Sequence, residues 1–228
     1  RSHGHYMAQG GDLKGMIAEL YGKATGCAGG IGGSMHLIDL SAGFVGTAPI
    51  VGSTIAIGTG VAFGKWMQKS DSVTVVYLGD GSVEEGVFYE SVNFAVLHQL
   101  PVVYVCENNL FSVYSPLEVR QPKGRQISDL ASAIGIESHQ GDGNDLASVY
   151  ELAGEAVGKA RNGSGPSFLE LFTYRWREHV GPYYDNDLGY REEGEYEEWR
   201  SKCPVEAAEK KLIEKILYLA MEVMKYFS

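Results

Sequence analysis

Asp80 stands in the stretch Tyr77-Leu78-Gly79-Asp80-Gly81-Ser82, and Asn108 and Asn109 follow Cys106-Glu107. A carboxylate and a carboxamide are oxygen ligands of the kind Mg²⁺ takes, together with backbone carbonyls and water or phosphate oxygens. Val73 to Leu78 and Val102 to Cys106 are continuous apolar runs, the pattern of buried parallel strands. Gly81 and Asn108 are 27 positions apart, room for one helix and one strand. Both polar ends should therefore emerge at one edge of a parallel sheet, where open α/β sheets bind ligands. The amides of Gly81, Ser82 and the following helix start favour an anion beside the cation. Singly, Asp-Gly and Asn-Asn are ordinary turn chemistry. Their pairing on adjacent strands is what points to a metal and phosphate site. Other phosphate motifs fail. Glu84 stands where a dinucleotide fingerprint needs its third Gly, and Trp66 follows Gly64-Lys65 where a P-loop needs Ser or Thr.

The elements that must position these groups follow from periodicity and punctuation. Residues 12–23 read as a helix capped by Asp12. Residues 24–50 are Gly-rich and irregular. Residues 52–68 read as an apolar helix in which Gly58, Gly60 and Gly64 imply close packing on another helix. Ser82-Val83-Glu84-Glu85 has the form of a capping box, predicting a helix from about Val83 to His98 with Glu85 turned away from the anion. Residues 110–127 read as a long polar loop at the sheet edge, with Arg120, Lys123 and Arg125 in it. A helix near 128–134, a strand near 136–140, a helix at about 145–161 and a strand at 167–174 complete an α/β alternation. The predicted fold class is a parallel sheet with helices on both faces. Pro204 opens a last helix to about Phe227. Residues 1–203 are expected to form one domain, with the helix of 204–228 packed on it. The start at Arg1-Ser2-His3-Gly4-His5 reads as the middle of a longer sequence.

A formal net charge of −10 argues against nucleic-acid binding, which needs a basic surface. No apolar run is long enough for a spanning helix. Cys27, Cys106 and Cys203 lack paired spacing, which fits a reducing compartment; with no targeting segment visible, a cytoplasmic location is expected.

Seven segments in order carry a family likeness: Arg1-x-His3-Gly4, Glu19-Leu20-x-Gly22-Lys23, Gly32-Gly33-Ser34-Met35-His36, Ile50-Val51-Gly52, Gly79-Asp80-Gly81, Cys106-Glu107-Asn108-Asn109 and Thr173-Tyr174-Arg175. The set resembles the α subunit of E1 components of 2-oxo acid dehydrogenase complexes, nearest the pyruvate and acetoin branches. It covers residues 1–178 strongly and 179–228 loosely. The resemblance implies a thiamine-diphosphate-binding fold that uses thiamine diphosphate and Mg²⁺. It implies that Asp80, Asn109 and the Phe111 carbonyl bind the metal. Arg1, Gly79, Gly81, Ser82, Asn109 and His179 would meet the cofactor diphosphate and its metal, and Ile50 and Val51 would lie against the aminopyrimidine. His179, His3 and His36 are the catalytic candidates.

The implied chemistry is decarboxylation of a 2-oxo acid, or cleavage of acetoin, followed by acyl transfer to a lipoyl group. The implied partners are an E1 β subunit, in an α2β2 heterotetramer, and a lipoyl-bearing E2. Nucleic acid and membrane are not expected partners. Two departures matter. Arg177-Glu178-His179-Val180 replaces His-Gly-His-Ser, so one histidine and the serine phosphorylated in mitochondrial relatives are absent. Gly181-Pro182-Tyr183-Tyr184-Asp185-Asn186-Asp187 is also unlike the family's usual Ser-Asp-rich segment. Alternatives at this stage are a stand-alone thiamine-diphosphate decarboxylase or transketolase-like half, a cofactor-free scaffold subunit, and a truncated fragment.

Overall fold

The computed structural model describes residues 2–225, with side chains through residue 216. Arg1 and Phe227 lie outside the described residues. The chain forms two compact units, residues 1–54 and 55–228.

In the first unit, helix α1 (Ser2–Ala8) precedes α2 (Leu13–Leu20). Asp12 caps α2 as its sequence position suggests, accepting from the amides of Lys14 at 3.1 Å and Gly15 at 2.9 Å. Tyr6, Met16 and Leu37 form a small core with Cys27 and Phe44. Most of the Gly-rich segment has no regular structure, and one carboxylate organises it. Glu19 is fully buried and accepts four backbone N–H groups, from Ala28, Gly30, Gly32 and Gly33, at 2.6–3.0 Å.

Asp39 ties the start of α2 to the turn at Ser41. Its carboxylate accepts from the Ser41 hydroxyl at 2.6 Å and the Asp12 amide at 3.0 Å. These bonds, that of Ser41 first, pull its pKa from 3.8 down to about 2. A depressed carboxylate stabilises the fold above its unfolded pKa and loses that contribution as pH falls through the folded value. Between about pH 4 and pH 2, D39N should therefore lose less stability than the wild type. Thermal melts across that range by circular dichroism check this; parallel curves would contradict it.

The second unit is built on a four-stranded parallel sheet. Its strands are β1 (Thr74–Gly79), β2 (Val102–Asn108), β5 (Glu137–Asp142) and β6 (Ser167–Phe172), in the order β1-β2-β6-β5. The register sets Gly79 beside Glu107, and Asn108 beside Phe172. Tyr104 and Cys106 of β2 face one layer, with Phe88, Val92 and Ala95 of α4 (Gly86–Leu97), Ile127 and Ala131 of α6 (Ile127–Ile134), and Ile55 and Ala62 of α3 (Ser53–Met67). Val103 and Val105, from the alternate positions, face α7 (Leu146–Arg161) through Ala156 and Ala160. Helices thus cover both faces, as the alternation predicts. After β6 come a long irregular segment, α8 (Glu195–Arg200) and α9 (Pro204–Lys225), which begins at the proline as expected.

Three local expectations are corrected. Gly58 packs against Val76 of strand β1 rather than against a helix, and among the described residues no other element lies within 4 Å of where a Cβ of Gly60 or Gly64 would be. The capping box does not form. Residues 80–84 make a 3₁₀ turn, and α4 starts at Gly86 behind Glu85, whose side chain makes no cap hydrogen bond. The cause is that Arg120 engages both Asp80 and Glu84, with Gln121 donating to Glu84 at 3.2 Å, which holds that stretch in the tighter turn. The polar loop is also partly regular. Strands β3 (Phe111–Ser112) and β4 (Ser115–Pro116) form a hairpin, followed by the single-turn α5 (Leu117–Arg120).

Candidate metal and phosphate site

Because β1 and β2 run parallel in register, Asp80 and Asn109 leave the sheet at the same edge. The 3₁₀ turn after Gly79 begins with Asp80, Gly81 and Ser82, and the first amides of such a turn have no partner inside it. The β3–β4 hairpin lies on this turn. A Cβ at Gly81 would come within 2.7 Å of the Ser112 hydroxyl, so glycine is what lets the two segments approach.

Asp80 is 1% exposed. Burial raises its pKa, and the ion pair with Arg120 opposes that rise only in part. The neighbouring Cys106 is buried, and burial pushes its thiol well up, with Asp80, Glu170 and Glu107 adding to the effect. It is an inert core residue rather than a nucleophile.

Two successive turns aim the amide-bearing side of the site. Asn108 is fully buried, and its Oδ1 accepts the Leu110 N–H at 3.0 Å. Asn109 Oδ1 accepts the Phe111 N–H at 3.2 Å. They hold Leu110 at φ 66°, an unusual conformation for a branched residue. Leu117 donates its N–H to the Leu110 carbonyl at 2.7 Å, so Phe111 and Pro116 are the non-hydrogen-bonded pair of the hairpin and the Phe111 carbonyl points out of the ladder. The amide oxygen of Asn109 keeps a second lone pair. A buried carboxylate, an amide oxygen and a carbonyl without a ladder donor are an all-oxygen set. That set fits Mg²⁺ and does not suit a soft metal.

The segment after β6 clasps the hairpin from the other side. Asp185, 1% exposed, accepts from Arg175 Nη2 at 2.9 Å and from the Tyr190 hydroxyl. The Arg191 guanidinium lies 4.7 Å from the Phe111 ring centre and 4.5 Å from that of Tyr174. Tyr190 meets the ring of Phe111 at 5.3 Å and that of Tyr114 at 5.0 Å. D185N should cost about 1.5 kcal/mol, the lower end for a hydrogen bond to a charged group, and lower the melting temperature by about 5 °C. Differential scanning calorimetry would read this, and an unchanged melting temperature would contradict it.

Of the residues anticipated from sequence, Gly79, Asp80, Gly81, Ser82, Asn109 and Phe111 come together at this edge. His179 follows β6, the third strand to end there, in a loop closed by the Glu178 N–H on the Tyr183 carbonyl at 2.9 Å. His3 on α1, His36 after a 3₁₀ turn, and the exposed Ile50 and Val51 belong to the first unit. Arg1 lies outside the described residues. Sequence reasoning treated Arg120 as one loop cation among three and did not single out Asp185, Tyr190 or Arg191. The spacing Asp-x₄-Tyr-Arg was their only signal. Among the described residues, no helix is long and apolar enough to cross a membrane.

The family model for the dehydrogenase E1 component matches residues 1–226. The chain is 43% identical to the α subunit of acetoin:2,6-dichlorophenolindophenol oxidoreductase of Bacillus subtilis, over 77% of this chain and 52% of that protein. It is 38% identical to the pyruvate dehydrogenase E1 α subunit of Rhizobium meliloti, over 94% of this chain and 61% of that one. Among solved structures, a transketolase mutant from Pichia stipitis matches 56% of this chain and 20% of its own, with 22% identity and a TM-score of 0.45. The chain thus spans between half and two thirds of the curated relatives' length. With one family model matching residues 1–226, across both units, the chain belongs to the dehydrogenase E1 component family.

Proposed function

We propose that this chain is the cofactor-holding part of an E1 α subunit, acting on a 2-oxo acid or acetoin with thiamine diphosphate and Mg²⁺. The observation that carries this reading is the buried Asp80 carboxylate set at the same sheet edge as Asn109 and the Phe111 carbonyl. Those three would hold Mg²⁺. The amides of Gly81 and Ser82 would hold the diphosphate, with Arg1 as a further contact and Ile50 and Val51 against the aminopyrimidine. The cofactor, when bound, supplies carbanion chemistry. The residues of this chain orient it, exclude water beneath the hairpin and handle protons. His179 at the β6 edge is the foremost group for a proton on the substrate oxygen, and His3 and His36 are the candidates from the first unit.

Turnover would need an E1 β-type partner in an α2β2 assembly and a lipoyl-bearing E2 as acceptor, in a cytoplasmic setting. Mixing experiments test this. Cofactor-dependent oxidation of a 2-oxo acid or acetoin, with an artificial electron acceptor, should appear only when a β-type subunit is added. Full turnover by this polypeptide alone would refute the reading. One observation favours a cofactor-free scaffold instead, namely the hold of Arg120 on Asp80. Persistence of that ion pair in millimolar Mg²⁺ and thiamine diphosphate would support the scaffold.

A further inference from the structure

Glu170 lies in the middle of β6, is 1% exposed, and has no place in the site described above. Among the described residues its carboxylate is not paired with a cation; it accepts three N–H groups. Oε1 accepts from Asn108 Nδ2 at 2.8 Å. Oε2 accepts from the Ser128 backbone N–H at 2.9 Å and from Gln140 Nε2 at 2.8 Å. Asn108 is the residue whose other amide atom turns the chain at Leu110. Ser128 is the second residue of α6, and the residue preceding that helix, Gln126, makes no side-chain cap bond. Glu170 therefore caps α6 from a neighbouring strand, near the helix dipole's positive end.

We infer that Glu170 is a positioning residue that fastens both ends of the 109–126 segment to one point of the sheet. At the entrance it fixes Asn108, which sets the turn presenting Asn109 and Phe111. At the exit it fixes the first turn of α6. Between these ends the segment carries the hairpin, α5 and Arg120. A buried carboxylate shared this way makes the loop's two ends one mechanical unit, since an N–H left without its acceptor in the core is costly at either end. The role in metal positioning rests on the proposed function; the fastening itself does not.

Hydrogen exchange on the full chain tests the first part, and Mn²⁺ affinity, by electron paramagnetic resonance of the free ion with thiamine diphosphate and an E1 β-type subunit present, tests the second. In E170A, amides in 109–112 and in 127–130 should both exchange about tenfold faster than in the control Y104F. That control removes a buried hydrogen bond to Thr59 in the layer facing α3 and leaves the loop ends alone. In E170Q a single amide oxygen replaces two acceptor oxygens, so one end should keep its protection while the other loosens. Mn²⁺ affinity should fall about tenfold in E170A and stay near wild type in Y104F. Loosening of one end only in E170A, or equal loosening in Y104F, overturns the fastening. If the wild type and Y104F bind Mn²⁺ and E170A binds it equally well, the metal reading stands and the positioning role falls. If the wild type binds none, both the metal reading and the positioning role fail, and the exchange data alone decide the fastening.

Discussion

D80A should lose at least about a thousandfold in Mg²⁺-dependent affinity for thiamine diphosphate, which corresponds to roughly 4 kcal/mol. Mg²⁺ is typically held by one or two carboxylates plus phosphate oxygens, and among the three proposed ligands Asp80 is the only carboxylate. Its burial makes the effect larger, because a cation beside a desolvated carboxylate is poorly screened. Removal also releases Arg120, which keeps Glu84 as its partner at the mouth of the same turn. The variant should therefore retain weak diphosphate binding that no longer depends on Mg²⁺. Titrations with and without EDTA separate the two components. A variant that keeps the wild-type Mg²⁺ dependence would place the metal elsewhere.

The opposite direction is expected for R120A. In the structure the guanidinium already occupies Asp80, reaching it and Glu84 from one side chain while Nε donates to the Ser115 carbonyl at 3.2 Å. Mg²⁺ must displace it. A hydrogen bond to a charged group contributes about 2 kcal/mol, so removing this competitor should tighten Mg²⁺ binding about thirtyfold. Mn²⁺ titration followed by electron paramagnetic resonance measures the change. A weaker affinity in R120A would mean that Arg120 works as a phosphate ligand rather than as a stand-in for the metal.

The parallel sheet was legible because Val73–Leu78 and Val102–Cys106 are apolar runs that fit only buried strands, and because strand and helix signals alternate. Asp12 was legible because capping is local chemistry. The capping box at Ser82 was misread because Arg120 and Gln121 engage Glu84 within it and Arg120 also holds Asp80 just before it, so tertiary contacts overrode a local signal. The β3–β4 hairpin has two-residue strands, too short for any alternation to register. Asn108 shows where reading stops. In sequence it is half of an Asn-Asn turn, and only its place beside β6 reveals that it serves Glu170, which leaves Asn109 as the proposed metal ligand. Glu170 carried no motif of its own, and Asp185 gained its meaning from Arg175 and Tyr190, which lie on other parts of the same clasp.

The most direct test of the metal and diphosphate site is calorimetric titration of thiamine diphosphate into this chain together with an E1 β-type subunit, in Mg²⁺ and again in EDTA. Saturable binding that requires Mg²⁺ is the predicted result. A folded assembly that binds no thiamine diphosphate, or binds it equally well in EDTA, would contradict the account.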